Sequence, residues 1–332
     1  MMKKIFSSYE TIVFLAIVIL GAIITMVNPN FLTLENFLDL LKSYSFMGIL
    51  AIGVLFVLLS GGIDISFTAT ATVAMYGMAV IINKHGGNMF TAFLIASLIG
   101  ILLGIINAVI IHFFKIHSII TTIATLNIYY GLLTVFSGGK WIYALPTWFR
   151  EFGQVRVFTL TNPTGGTYGL SIVTAIWIVL FVLAWVILRY TIIGRGIYAL
   201  GGNPTSAERV GFSILRLQLF VYGFMGWLAG ISGVVLTLLV QSVAPNSIVG
   251  KELDVLAAVV LGGASLTGGV GTLWGTLLGV ILIAVMNNGM TLMRIPAFWY
   301  NVFIGLIIVI SVSASAIQRK KKKNQKVAIE VE

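Results

Sequence analysis

The chain has 332 residues, of which 59% are hydrophobic and 9% charged, with a net charge of +10. A soluble domain carries about 25% charged residues, so a chain this poor in charge cannot cover itself with a wet surface, and its mean hydropathy of +1.06 agrees. The absence of cysteine excludes disulfides, thiolate chemistry and cysteine metal sites. His85, His112 and His117 share no ligand spacing, so neither a metal nor a cofactor is expected.

Apolar runs of roughly 18 or more residues recur along the whole length, which predicts an all-α polytopic membrane protein. A β-barrel would show short alternating segments instead. Ten apolar segments can be laid out, near 12–27, 44–60, 63–82, 90–112, 118–137, 170–188, 215–240, 253–267, 270–288 and 299–316. The first runs to Val27 with no A-x-A site before "NPNF", and reads as an uncleaved span. The segment at 253–267 is short and glycine-rich, either a half-helix or a re-entrant piece that protein must surround. Residues 1–317 form one transmembrane domain and residues 318–332 a basic tail.

An even count places both termini on one side. Lys3, Lys4 and the six basic residues between Arg319 and Lys326 make that side the cytoplasm, in the plasma (inner) membrane. Without the tail, seven basic residues lie inside and seven outside. Orientation therefore rests on the tail and on the inner loop 189–216, with Arg189, Arg195, Arg209 and Arg216. Six of the twenty basic residues lie in this tail, which reads as a cytosolic stop after the last span, and no nucleic-acid partner is expected.

The first stretch that could carry chemistry is "LSGGIDISFTATATVAMYG", 59–77. Gly61 and Gly62 let the chain turn or unwind, and nearby hydroxyls can satisfy freed backbone groups. Asp64 has two readings: a buried ion or proton site, or a cap on the next helix at the wet cytoplasmic edge. The layout favours the cap. "LGGASLTGG", 261–269, repeats the double glycine and suggests an internal repeat. Asn107, Asn127, Asn287 and Asn288, with Tyr129, Tyr130 and Asn301, are polar residues inside spans. They line a wet path for a polyhydroxylated solute or bond helix to helix, and taken singly they read as packing.

Gly100 and Gly104, Gly226 and Gly230, and Gly271, Gly275 and Gly279 stand four apart, the spacing at which helix backbones approach closely in lipid. The outer loop 138–169 is rich in aromatics, with Trp141, Tyr143, Trp148 and Arg150 as docking candidates and the tryptophans also suited to interface anchoring. In the inner loop, "GGNPTSAERVGF" predicts a short helix from Thr205 to Val210. Asn203 is its N-cap, Pro204 its first residue, and Gly211 its left-handed end. Such a helix could pass force to a cytoplasmic partner through Asn203, Thr205, Ala207, Glu208, Arg209 and Gly211, or be an ordinary surface turn.

"LSGGIDISFTATATVAMYG", "GRGIYALGGNPTSAERVGFSI", "VVLGGASLTGGVGTLWGTLLG" and "FSGGKWIYALPTWF" together resemble the ribose-type sugar permeases, within the wider group that includes branched-chain amino-acid permeases. The resemblance covers about residues 30–317. The "FTATATVA" after "GGIDIS" departs from the Gly- or Ser-rich continuation seen in many members. The resemblance implies about ten helices in a type II ABC-importer-like bundle. It also implies a second permease copy or paralogue, a cytoplasmic ABC ATPase that engages the short inner helix, and an extracytoplasmic substrate-binding protein. The cargo would be a small sugar-like solute. No catalytic residue is implied, and the chain is not expected to be an enzyme. The alternative is an ion-coupled secondary transporter, which needs ion ligands at mid-membrane.

Overall fold

The computed structural model describes residues 8–162, 165–296, 298–306 and 309. The basic tail and Lys3 and Lys4 lie outside them. The first helices are α1 (Ser8–Val27), α2 (Leu34–Leu59), α3 (Phe67–His85), α4 (Met89–Phe114), α5 (Ser118–Ser137) and α6 (Thr147–Phe152). A hairpin of β1 (Arg156–Thr161) and β2 (Thr167–Ser171) follows. Next come α7 (Ile172–Tyr190), α8 (Ile192–Gly202), α9 (Pro204–Arg209), α10 (Ile214–Val240), α11 (Glu252–Leu261) and α12 (Leu273–Leu292). Helix resumes over 298–306.

Among the described residues seven helices, α1, α2, α4, α5, α7, α10 and α12, are long and apolar enough to cross a membrane. The remaining three of the ten predicted segments have separate outcomes. α3 begins only at Phe67, four residues late, because 61–66 is non-helical. α11 has ten residues, a rise of about 15 Å against a hydrocarbon core of about 30 Å. It is therefore a half-helix. The last predicted segment extends beyond the described residues.

Burial sorts the helices into layers. The apolar windows of α2 and α10 are 72% and 78% buried, whereas those of α1, α5 and α7 are 22–28% buried. α2 and α10 form the centre and the others carry apolar side chains outward to lipid. The fold has two ends. Asn36 and Asn288 exchange amide hydrogen bonds at 3.1 and 2.9 Å at the hairpin end, where Asn162 also reaches Glu35. Thr272 donates to Glu10 at the opposite end, which carries α9.

The predicted glycine spacing packs helices. A β-carbon on Gly100 would overlap the Gly226 carbonyl, one on Gly104 the Tyr222 carbonyl, and one on Gly230 the Ala96 carbonyl. α4 and α10 thus run antiparallel in backbone contact. Gly275 and Gly279 do the same for α12 against Gly262 and Ala258 of α11. Gly271 does not continue that stripe, because it precedes α12 in a loop.

The 138–169 loop contains more order than its sequence suggests. β1 and β2 pair antiparallel from Thr161↔Thr167 to Arg156↔Ser171, a small β addition to the expected all-α fold. Ile142 forms a bridge with Val243, which ties this region to the segment after α10.

Candidate functional site

The site is built on the break between α2 and α3. The Gly61 amide bonds the Leu58 carbonyl and the Gly62 amide the Val57 carbonyl, with Gly61 at φ +84°. This is the 6→1 type of helix ending that requires a left-handed residue. The second double glycine repeats it: Gly263 bonds Val260, and Ala264 bonds Val259. The two "GG" motifs are the same device at the ends of α2 and α11.

The two breaks touch. The Gly269 amide donates to the Leu59 carbonyl at 3.0 Å. A β-carbon on Gly268 would lie 2.6 Å from the Gly61 α-carbon and 2.7 Å from the Gly201 carbonyl oxygen. Gly201 belongs to the last turn of α8. Three chain segments therefore meet backbone to backbone.

α9 follows that junction directly. Asn203 accepts the Ser206 amide at 3.0 Å, Pro204 opens the helix, and the Gly211 and Phe212 amides close it on Glu208 and Ala207. Ala207 is buried, while Thr205, Glu208, Arg209 and Gly211 are exposed. Val210 is 73% exposed at the tip. The helix is pinned by one small side chain and presents its other faces outward.

A cavity of about 550 Å³ opens at this end. Gly61 and Gly62 line it together with His112, Ser118, Gln218 and Tyr222, and Pro204 of α9 lines it too. The His112 ring bonds the Gln218 side chain at 2.9 Å. The lining offers the hydroxyls of Ser60 and Ser118, a phenol, an amide, the imidazoles of His112 and His117 and the Lys115 ammonium, groups that hydrogen-bond hydroxylated solutes and include no carboxylate.

Asp64 is not at a wet edge. It is 4% exposed, and one carboxylate oxygen accepts both the Ser66 amide and the Ser66 hydroxyl at 2.7 Å. The N-cap residue of α3 is Ser66 rather than Asp64, which instead closes the turn onto Ser66 from inside the protein. The chain continues from Gly62 without regular secondary structure into the protein before α3 starts. Asn107 donates to the Ser66 hydroxyl at 2.7 Å, and Tyr129 donates to Asn107 at 3.2 Å. Asp64, Ser66, Asn107 and Tyr129 form one buried polar chain across α3, α4 and α5.

The freed backbone of the break is satisfied from α5. Ser118 accepts the Ile63 amide at 2.9 Å, and Thr122 accepts the Ile65 amide and donates to the Ile63 carbonyl, each at 3.2 Å. Ser118, Thr122, Gln218 and Tyr222 were not singled out from sequence. The i, i+4 hydroxyls in "SIITT" were the available signal.

The other polar candidates are dispersed. Asn127 is exposed and bonds its own helix at the Ile123 carbonyl. Asn288 pairs with Asn36 and therefore joins α12 to α2. Asn287 is half-buried and its backbone carbonyl accepts the Thr291 hydroxyl, while Tyr300 donates to Asp254 at 3.4 Å. Glu252 is buried at the start of α11, where it accepts Thr68 and the Gly250 amide. In the 138–169 loop, Trp141 and Tyr143 stack at 5.7 Å and are exposed, as is Arg150, whereas Trp148 is half-buried against Phe149. Among the described residues no acidic or histidine cluster suited to a metal occurs.

The family described as branched-chain amino acid transport system / permease component matches residues 36–312. The chain belongs to that permease family. It is similar to the ribose import permease protein RbsC of Haemophilus influenzae, 35% identical over 93% of this chain and 94% of that one. The Bacillus subtilis protein of the same name is 36% identical over 93% and 92%. The autoinducer 2 import system permease protein LsrC of Yersinia pestis is 30% identical over 93% and 85%. No solved structure matches the chain. The matched region includes both glycine breaks, α9 and the polar chain from Asp64 to Tyr129.

Proposed function

We propose that this permease is the membrane subunit of an ABC importer for a small sugar or related polyhydroxylated solute. A separate cytoplasmic ATPase drives it and an extracytoplasmic binding protein feeds it. It works beside a second permease copy or paralogue, in a type II bundle of about ten spans in the inner membrane, with the α9 end and both termini cytoplasmic. The observation that carries this reading is the junction of Gly61, Gly201 and Gly268 directly above α9. A force applied to α9 from outside the membrane reaches both helix breaks through main chain alone.

In this mechanism, closure of the ATPase pushes the exposed residues Thr205, Glu208, Arg209 and Val210. Asn203 and Ala207 keep α9 rigid and seated. α8 carries the displacement to Leu59 and to the 262–272 loop, and access alternates between the two sides of the membrane. Trp141, Tyr143 and Arg150 face the docked binding protein, and Trp148 holds that loop to the bundle. The permease itself hydrolyses nothing. The similarity to proteins named for ribose and autoinducer 2 import supports a hydroxylated cargo.

The test is uptake in proteoliposomes with the partner ATPase, supplied either with internal ATP or with an imposed ion gradient. ATP-dependent uptake is expected. Glu208→Arg should weaken ATPase co-purification while leaving the thermal unfolding of the permease unchanged. Uphill transport by this chain alone, without nucleotide, would refute the proposal. The buried Asp64 favours a second reading, ion-coupled transport, and that reading requires the gradient arm to drive uptake.

A further inference from the structure

A second groove lies away from the glycine junction, on the flank formed by α2, α7 and α12. It has a volume of about 480 Å³ and is lined by Leu41, Trp177, Phe181, Trp185, Trp274 and Ile281, among others. Trp177 forms its floor, so close under Gly48 that a β-carbon there would overlap the indole. Phe181 and Trp274 meet edge to face at 5.1 Å. On α7 the lining runs from Thr174 to Trp185, a rise of about 17 Å, close to one leaflet's share of a core about 30 Å thick.

The groove has a polar mouth. Trp185 and Trp274 are shared with a second recess of about 440 Å³, lined also by Arg189, Tyr198 and Thr272. Arg189 is exposed, one helical turn beyond Trp185, in the last turn of α7. It makes no ion pair among the described residues. The other polar groups at the mouth are occupied. Tyr198 donates to the Gly271 carbonyl at 3.0 Å, and Thr272 donates to Glu10, whose carboxylate is buried behind Thr272 rather than exposed at the surface. Among the described residues the mouth therefore offers one exposed cation without an ion-pair partner, above an aromatic-walled, chain-length slot.

We infer that this groove holds one phospholipid with an anionic headgroup, its acyl chain along Trp177, Phe181 and Trp274 and its phosphate on Arg189. The charge at the mouth, the one-leaflet length and the tryptophans at the boundary all match such a lipid. The inference does not depend on the transported solute or on the ATPase.

The test uses the full chain in nanodiscs, with tryptophan fluorescence quenched by phospholipids brominated on the acyl chain. Brominated phosphatidylglycerol should quench with about fivefold higher apparent affinity than brominated phosphatidylcholine, the factor equivalent to about 1 kcal/mol for one basic residue near an anionic surface. Arg189→Gln should remove the preference and Arg189→Lys should keep most of it. Trp274→Phe should remove the largest share of the quenched signal. Inorganic phosphate should not compete. Equal quenching by the two lipids, or a preference unchanged in Arg189→Gln, would overturn the inference. So would efficient Leu277→Cys cross-linking between copies with no lipid quenching, which would assign the groove to a second copy.

Discussion

Gly201 lies so close against Leu59 that a β-carbon there would overlap the Leu59 carbonyl oxygen, the same oxygen that accepts the Gly269 amide. Main-chain atoms surround the site, so no side chain can swing away to make room. Gly201→Ala should cost about 1–3 kcal/mol and abolish most uptake, while membrane insertion persists. Gly202→Ala, with nothing within 4 Å of the new methyl, should transport normally. Comparing the two variants by uptake and thermal unfolding separates junction geometry from local helix content.

Asp64→Asn retains an acceptor for the Ser66 amide and hydroxyl, so an ATP-driven permease should keep a substantial fraction of its uptake. Asp64→Ala leaves a buried backbone amide without a partner, which should lower stability by about 1–3 kcal/mol. Uptake measured in both variants checks this. Complete loss in Asp64→Asn, with normal assembly, would transfer the weight to ion coupling.

The Asn36–Asn288 pair joins α2 to α12 through two amide bonds. A double-mutant cycle to alanine, read by unfolding in detergent micelles, should give a coupling of about 0.6–1.7 kcal/mol. A value near zero would mean that both amides are equally well satisfied elsewhere.

Gly226→Ala should loosen α4 from α10 and lower the unfolding temperature, because the methyl would overlap the Gly100 carbonyl. Gly131→Ala meets nothing within 4 Å and should leave that temperature nearly unchanged. The pair is checked by differential scanning fluorimetry in one detergent.

What the sequence made legible was local. The Asn203 cap, the Pro204 start and the Gly211 stop of α9 follow from chemistry within eight residues, and the spacing of Gly100 and Gly104 announces its own packing. The depth of Asp64 was not legible, because it depends on Ser118 and Thr122, donors and acceptors supplied from more than 50 residues away. The hairpin was read as loop. "RVFTLT" contains strand-forming residues, but all six are exposed and show no apolar alternation toward a core. The contact between the two "GG" breaks could not be read either, since each motif explains its own turn without reference to the other.

The backbone contact between α4 and α10 has a mechanical corollary. With no side chains interposed along Gly100, Gly104, Gly226 and Gly230, this pair has no rotamers to exchange and no slack to take up. It is a single stiff beam through the subunit. Any working stroke must be accommodated by the parts that lean on the beam, the half-helix α11 and the peripheral α1 and α5, rather than within it.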